Sequence, residues 1–348
     1  MLNGSSIVFV HAGVLSFESI IAELLHSSLN IPALAIAAIS IPIAGATLLS
    51  SFLFRAAKNN NKVTVFNLWK FLIPASILLA IGIFTWYDSV SRIGASKDGL
   101  LAGPLETVTI LFLARFFLGD RLSKPQTLGV VLALVGFFLT LGNGSMFLQL
   151  KSSIFSIGDI EAIISSITFA TGYIFTAKLV RTCSTIEVTG SCLLFSGLIL
   201  MAIFSVSAAS TGGGGGGGFS FPTFNLNWIS LQNCTLLMLF SLVPLSSALF
   251  YNMGLNKIGA SLTSTISSST ILLTIIFQVF LYELGINSIL PVNIPMAITG
   301  AVLGIFGICI IHMNNIALFI RIWRMCKTPF KGLITVENVP AAAAKRRL

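Results

Sequence analysis

Charge is the scarcest property of this sequence. Only 9% of its 348 residues are Asp, Glu, Lys or Arg, whereas 55% are hydrophobic, and soluble domains carry about 25% charged residues. So apolar a composition excludes a water-soluble protein. The five cysteines form no CxxC pair, so neither a disulfide framework nor a cysteine metal site is indicated.

Catalytic motifs are missing as well. The three histidines do not form HExxH, and no Gly-x-Ser-x-Gly elbow occurs. The glycine run 212–218 is not followed by the lysine of a phosphate-binding loop. We therefore expect no enzyme, no cofactor and no metal. The net charge of +9 lies in short basic clusters between apolar runs, so nucleic acid is not an expected partner.

Long apolar runs are what the sequence does contain. Ten of them have roughly the 20 residues that cross about 30 Å of hydrocarbon. They predict an all-α membrane protein with ten transmembrane helices. The first run lacks the basic flank of a signal peptide and is interpreted as a retained span. The predicted spans are 7–25, 32–54, 71–91, 99–118, 126–146, 160–180, 186–207, 232–253, 262–282 and 293–313.

The basic residues predict an orientation. With both termini in the cytoplasm, 17 of the 20 Lys and Arg residues fall on the inner side and three, Arg92, Lys97 and Lys151, on the outer side. Cytoplasmic loops of membrane proteins carry such an excess. The glycine-rich stretch 208–230 is then an external tether, and residues 314–348 form a basic cytoplasmic tail.

A short motif occurs twice. Arg92-Ile-Gly-Ala-Ser96 returns as Lys257-Ile-Gly-Ala-Ser261, and the acidic helix ends Asp120 and Glu283 correspond at a similar offset. Each half holds five predicted spans, so the halves enter the membrane from opposite sides. Inverted repeats of this kind underlie alternating access, with the solute site near the middle of the membrane.

These features resemble the drug/metabolite transporter superfamily, specifically proteins with two EamA-like domains. The resemblance covers residues 7–313 and rests on the doubled Ile-Gly-Ala-Ser turn, Pro104, the helix end Leu118–Ser123 and Gly158-Asp159. The sequence departs from the family in having Asp120 where Glu is usual and Ser269 where Pro is common.

The resemblance implies two five-helix domains and a transport function. The domains are expected at 7–146 and 158–313. It implies a multi-pass protein, with the cell membrane the simplest location, that moves a small metabolite or drug-like solute. Ion or solute gradients would supply the energy, and proton coupling is one form of this. The partners are then a small solute and the lipid bilayer, while the oligomeric state is left open.

Two acidic residues stand out within the spans. An ionisable group in the membrane costs about 2.5 to 3.5 kcal/mol on insertion scales. Glu18 lies near the middle of the first span, and Glu106 lies two turns into the fourth, just after Pro104. Either could bind a cationic solute or carry a proton; the alternative is a carboxyl group that only fixes packing. Asp98, near Lys97 at the external turn, is interpreted as part of a surface charge pair.

Aromatic and amide side chains are the other candidates for the solute site. Facing a cavity, such groups stack on and orient a solute, although Trp and Tyr near helix ends also form interfacial belts. The hydroxyl-rich ninth span can likewise face a cavity or serve helix packing. The candidates are Trp86, Tyr87, Tyr173, Tyr251, Asn252 and Gln278.

Three functional alternatives remain after this reading. A nucleotide-sugar or sugar-phosphate exchanger would need Lys or Arg in its cavity, and the middles of the spans have almost none. This favours a neutral, zwitterionic or cationic solute. A membrane channel or a structural membrane protein would share the same composition, and saturable flux distinguishes a carrier from both.

The predicted orientation can be measured directly. We expect a reporter fused after Leu348 to be cytoplasmic and a reporter inserted within 212–218 to be external, because the basic residues hold the tail inside. Paired reporters that are active on only one side of the membrane give the readout. A reporter inserted at 59–62 should match the tail, and an external tail would contradict the orientation.

Overall fold

The protein is described by a computed structural model that covers residues 4–58, 63–118, 156–212 and 228–285, with scattered positions at 128–136 and 295–310. Helices make up almost all of these ranges. The first half contains α1 (Gly4–Leu29), α2 (Ala33–Lys58), the 3₁₀ turn Val65–Leu68, α3 (Trp69–Ile93) and α4 (Ala95–Leu118). The second half contains α5 (Ile157–Val180), α6 (Thr185–Gly212), α7 (Leu231–Phe240), α8 (Leu242–Ser267) and α9 (Thr270–Glu283).

The helices agree with a protein that crosses the membrane several times. Within the described ranges, six segments are long and apolar enough to span it: Gly4–Leu29, Ala33–Lys58, Val65–Ile93, Ile157–Val180, Thr185–Ser207 and Leu231–Ser261. Helix α6 runs to Gly212, past the predicted end of its span at 207. The predicted spans 126–146 and 293–313 are described only at scattered positions. The tail 314–348 and most of the 208–230 stretch lie outside the described residues.

A single glycine makes each of the two repeated turns. Gly94 has φ 83° and ψ 154°, and Gly259, inside α8, has φ 82° and ψ 168°. This backbone conformation is essentially confined to glycine. Each turn is therefore shorter than the repeated motif that contains it. Arg92 and Ile93 belong to α3, and α4 begins at Ala95.

The eighth and ninth predicted spans are interrupted helices. A turn at Ser241 separates α7 from α8, and a turn at Ser268 and Ser269 separates α8 from α9. The Ser268 hydroxyl donates to the Ser264 carbonyl at 2.9 Å, and the Ser269 hydroxyl donates to the Ile266 carbonyl at 2.7 Å. Serine side chains compete in this way for carbonyls that an unbroken helix would use. Helix α4 contains Pro104 and is continuous.

Contacts between the halves come in matching pairs. Helix α1 of the first half packs on α8 and α9 of the second half. In the same way, helix α5 of the second half packs on α3 and α4 of the first half. Helices α2 and α6 pack on each other, and so do α4 and α9. The first glycine of each half packs on the turn of the other half: Gly4 on Ile258 and Gly158 on Ile93.

Glycines allow the tightest of these contacts. A Cβ atom on Gly45 would overlap the backbone of Leu194, and one on Gly197 would overlap the backbone of Pro42. Small residues let helices approach closely in lipid, where no hydrophobic effect drives their association. Helices α2 and α6 therefore form a close antiparallel pair. The described glycines of the fifth and tenth spans, Gly129, Gly136, Gly300 and Gly307, are also buried.

The turn glycines should be intolerant of a side chain. We expect Gly94→Ala to lower stability by about 1–3 kcal/mol, the cost of holding alanine in this conformation. Gly13→Ala is the matched control, because Gly13 is helical and a Cβ atom there meets no other atom within 4 Å. Thermal unfolding in detergent gives the comparison, and equal melting temperatures for the two variants would contradict the strain argument.

Candidate functional site

A cavity of about 140 Å³ is lined by residues of both halves. Its walls come from the middle stretches of α1, α3 and α5, from the first half of α4, from α8 and from the start of α9, and α2 and α6 contribute Ile41 and Leu193. A cavity of about 150 Å³ is known to hold a benzene-sized molecule, so the space suits a small solute. Both halves contribute to it, as expected for a site at a repeat interface.

Three carboxyl groups line this cavity: those of Glu18, Asp98 and Glu106. Among the lining residues that the structure describes, none is Lys or Arg. A cleft lined by one sign of charge with low-dielectric walls concentrates ions of the opposite sign. The cavity therefore favours a cation, or a proton, over an anion.

The three carboxyl groups differ in their hydrogen bonds. The Tyr87 hydroxyl donates to Glu18 at 2.9 Å, and the Ser89 hydroxyl donates to Asp98 at 2.7 Å. No described residue hydrogen-bonds the Glu106 carboxyl group, which is half-buried and faces the cavity. Glu106 thus has the acceptor capacity that a ligand can use.

His11, on α1, bonds to α8 on both sides of the kink at Gly259. Its Nδ1 lies 2.9 Å from the Ser247 carbonyl oxygen, and its Nε2 lies 3.0 Å from the Ser267 hydroxyl. A carbonyl only accepts, so Nδ1 carries the hydrogen and, in the neutral ring, Nε2 accepts from Ser267. Tyr251 packs edge-on against the ring at 5.0 Å. His11 lines the cavity as a tethered side chain, bonded at both nitrogens.

Aromatic rings form one wall of the cavity. Trp86, Phe169 and Tyr173 line it. Trp86 stacks on Tyr87 with centroids 4.8 Å apart, and Tyr173 contacts Tyr251 at 4.2 Å. Tyr87 and Tyr251 are 1% and 2% exposed and lie behind this wall. Faces of aromatic rings attract cations within about 6 Å of the centroid, so the wall adds to the preference set by the carboxyl groups.

Acceptors and hydroxyls complete the lining. Asn252 donates from Nδ2 to Thr189 at 2.9 Å, and its buried Oδ1 has no partner among the described residues. The ninth span supplies Ser264, Ser267, Ser268, Thr270 and Thr274. A buried polar atom without a partner is costly, so Asn252 holds an acceptor that no described residue uses.

The predicted site residues fall into two groups. The cavity lining contains Glu18, Glu106, Trp86, Tyr173 and Asn252. Tyr87, Tyr251 and Gln278 lie outside the lining. Gln278 is fully buried and bonds to Ser96 and Glu23.

Sequence reasoning missed Asp98, His11 and Glu23. The interpretation of Asp98 as a surface charge was wrong, because Asp98 is 1% exposed and lines the cavity. A signal was available: Asp98 precedes Glu106 by about two turns on the same helix. No pattern in the sequence indicates that Ser247 and Ser267 meet His11, since these contacts join residues more than 200 positions apart.

Comparison with known proteins identifies the architecture. The EamA-like transporter family matches residues 4–142 and again residues 156–313. The chain belongs to the EamA-like transporter family. Two EamA domains place it in the drug/metabolite transporter superfamily, as the motifs predicted. The matches lie on either side of residues 143–155, so the cavity of this transporter lies between its two EamA domains.

A solved structure shares the fold of this chain. A solved crystal structure of a protein matches with a TM-score of 0.59 at 13% identity, covering 89% of this chain and 99% of the other. At this identity the likeness concerns the fold alone. No curated protein matches the sequence significantly.

The Tyr87–Glu18 bond can be tested through stability. We expect Tyr87→Phe to destabilise the transporter by about 1–3 kcal/mol, because it leaves the buried Glu18 carboxyl group without this donor. Tyr173→Phe is the control, since the Tyr173 hydroxyl makes no hydrogen bond with a described residue. Melting temperatures in detergent should fall for the first variant only. An equal fall in melting temperature for both variants would contradict a stabilising hydrogen bond from Tyr87 to Glu18.

Proposed function

We propose that this EamA-like transporter is a secondary carrier that binds a small organic cation in the central cavity and moves it by alternating access. The observation that carries the proposal is the acidic, aromatic-walled cavity between the two EamA domains, in which no lining residue described by the structure is Lys or Arg. A carrier of this type draws its energy from gradients and needs no cofactor.

The paired contacts between the halves support the alternating-access part. Ten spans arranged as two inverted five-helix repeats would relate the Gly94 turn to the Gly259 turn, which share one backbone conformation. They would also relate the packing of Gly4 on Ile258 to that of Gly158 on Ile93. When two inverted halves exchange conformations, the cavity opens first to one side and then to the other.

The charge of the lining supports a cationic solute. A phosphorylated solute would bring negative charge next to Glu18, Asp98 and Glu106, and like charges at close range are unfavourable. An exchanger of nucleotide sugars or sugar phosphates is therefore disfavoured. An ammonium group suits the site because it offers three donors, and the Glu106 carboxyl group can accept from it.

Glu106 provides a simple basis for proton coupling. Leaving a bare carboxylate in the membrane is costly, so this group is best neutralised in each state by a proton or by the bound cation. If the two compete for the same oxygen atoms, binding of the solute releases the proton. The outcome is exchange of solute for protons across the membrane, proposed to be the cell membrane with both termini in the cytoplasm.

Purified transporter in proteoliposomes tests the proposal. We expect saturable uptake of a labelled primary amine, accelerated by unlabelled amine on the opposite side, as a carrier shows and a channel does not. Glu106→Gln should lower uptake by about 10- to 100-fold, because a hydrogen bond to a charged group contributes about 1.5–3 kcal/mol. It should also flatten the dependence of uptake on the pH gradient.

Two control variants distinguish the loss of the Glu106 charge from a general effect of substitution on folding. Glu283→Gln changes an exposed acid at the end of α9 and should leave uptake unchanged. Glu106→Asp keeps the charge and should retain part of the activity. Unchanged uptake and unchanged pH dependence in Glu106→Gln would exclude Glu106 from coupling, and linear, non-saturable flux would exclude the carrier mechanism.

A further inference from the structure

The N-terminus of α4 is held by side chains from both halves of the transporter. Glu23 on α1 accepts the N–H of Ala95 at 2.8 Å, and Gln278 on α9 accepts the N–H of Ser96 at 3.0 Å. The Ser96 hydroxyl also donates to Gln278. The first N–H groups of a helix lack partners within it, and their partial positive charge favours a carboxylate.

Glu23 and Gln278 also bond to each other. The Gln278 amide donates to Glu23 at 2.6 Å, and the two residues are 1% and 0% exposed. One connected network therefore joins α1, α4 and α9 across the boundary between the domains. Its contacts span 72 to 255 positions of the chain.

Helix α5 holds the same end of α4 from another direction. Lys97 lies 2.8 Å from Asp159, with side chains 10% and 2% exposed. Asp159 also accepts the N–H of Ser156 at 3.0 Å and so caps its own helix. An ion pair this buried resists separation, because each charge would be left without compensation. We name the set Glu23, Ser96, Lys97, Asp159 and Gln278 the clasp.

The clasp lies directly beyond the cavity. Ser19, Gly99 and Thr274 line the cavity on α1, α4 and α9. Glu23 and Gln278 lie four residues further along α1 and α9 than Ser19 and Thr274, which is about one helical turn. On α4, Ser96 and Lys97 lie within a turn of Gly99 in the direction of Gly94. A solute leaving the cavity toward the α3–α4 turn meets the clasp.

The other half has no copy of the clasp. Counting from the equivalent glycines Gly4 and Gly158, Ala177 corresponds to Glu23 and Ser5 corresponds to Asp159. Counting from the turn glycines Gly94 and Gly259 gives the other two equivalents, which are Leu262 for Lys97 and Leu113 for Gln278. None of these four equivalents carries a charge or an amide, and only the fifth member, Ser96, has an identical equivalent, Ser261.

We propose that the clasp is a gate. It closes the cavity toward the membrane face at the α3–α4 turn, and its bonds must break for the solute to pass. Because the opposite side has no second clasp, the clasp favours the state that is closed at the α3–α4 turn. The gate rests on the proposed carrier function. Its test needs no solute, however, so a failure of the gate and a failure of the carrier mechanism are distinguishable.

Thiol labelling measures whether the clasp is closed. Gly99→Cys places a reporter in the cavity wall, where an added Cβ atom meets no other atom within 4 Å. It is made in the full chain after the natural cysteines are replaced, and a membrane-impermeant maleimide is applied separately to each face of sealed vesicles. Ser28→Cys, in the exposed end of α1 near the α1–α2 connection, identifies the face that the clasp closes.

Two changes should open the gate. Gln278→Leu introduces the residue found at the equivalent position, and the double variant Lys97→Leu with Asp159→Asn removes both charges of the ion pair. Each should raise the labelling rate of Gly99→Cys from the Ser28 face by about fivefold or more, because each removes buried polar interactions that only the closed state makes.

A buried carboxylate elsewhere serves as the matched control. Glu187 accepts the N–H groups of Thr64 and Val65 at 2.6 and 2.7 Å, the same chemistry at a helix start outside the clasp. Glu187→Gln should leave labelling from the Ser28 face unchanged. The gate is overturned if both clasp variants elute as folded, monodisperse protein and label no faster than the parent, or if Glu187→Gln raises labelling as much as they do.

Discussion

The absence of water in the bilayer is the constraint on which the structure depends. Every buried polar group must find its partner inside the protein. The acidic residues of the described helices accordingly have defined surroundings. Glu187 caps the 3₁₀ turn before α3, Glu23 caps α4, and Asp159 caps α5 while pairing with Lys97. Glu106 is the exception, and it faces the cavity.

This distribution separates the acids that are bonded within the fold from Glu106. A carboxylate that accepts backbone N–H groups at a helix start also gains from the helix dipole, so its burial is compensated within the fold. Glu106 has no such compensation from the described residues, and Trp86 and Tyr173 line the same cavity. Burial alone therefore does not distinguish Glu106 from the other acids; the lack of a hydrogen-bond partner among the described residues does.

The internal repeat explains both the symmetry and its limits. Backbone features are shared: the turns at Gly94 and Gly259, and the glycine-to-isoleucine packing at the start of each half. Side-chain chemistry is not shared. Pro104 and Glu106 lie on α4, while the ninth span is rich in Ser and Thr and breaks at Ser268 and Ser269. In the proposed carrier, the shared backbone features would let the two halves exchange conformations, and the different side chains would make the two states unequal.

The sequence by itself determined the membrane class, the helices of the described spans, the doubled turn and the family, because hydrophobic length and glycine conformation are local properties. It also indicated five residues of the cavity wall, since an acid or a tyrosine inside an apolar run is visible without a fold. Only the tertiary structure decided the rest. Asp98 was assigned to the surface because its neighbour Lys97 suggested a charge pair, yet Lys97 pairs with Asp159. Whether Gln278 faces a cavity or bonds to Glu23 depends on contacts 255 positions apart, and no local pattern encodes a distance of that kind.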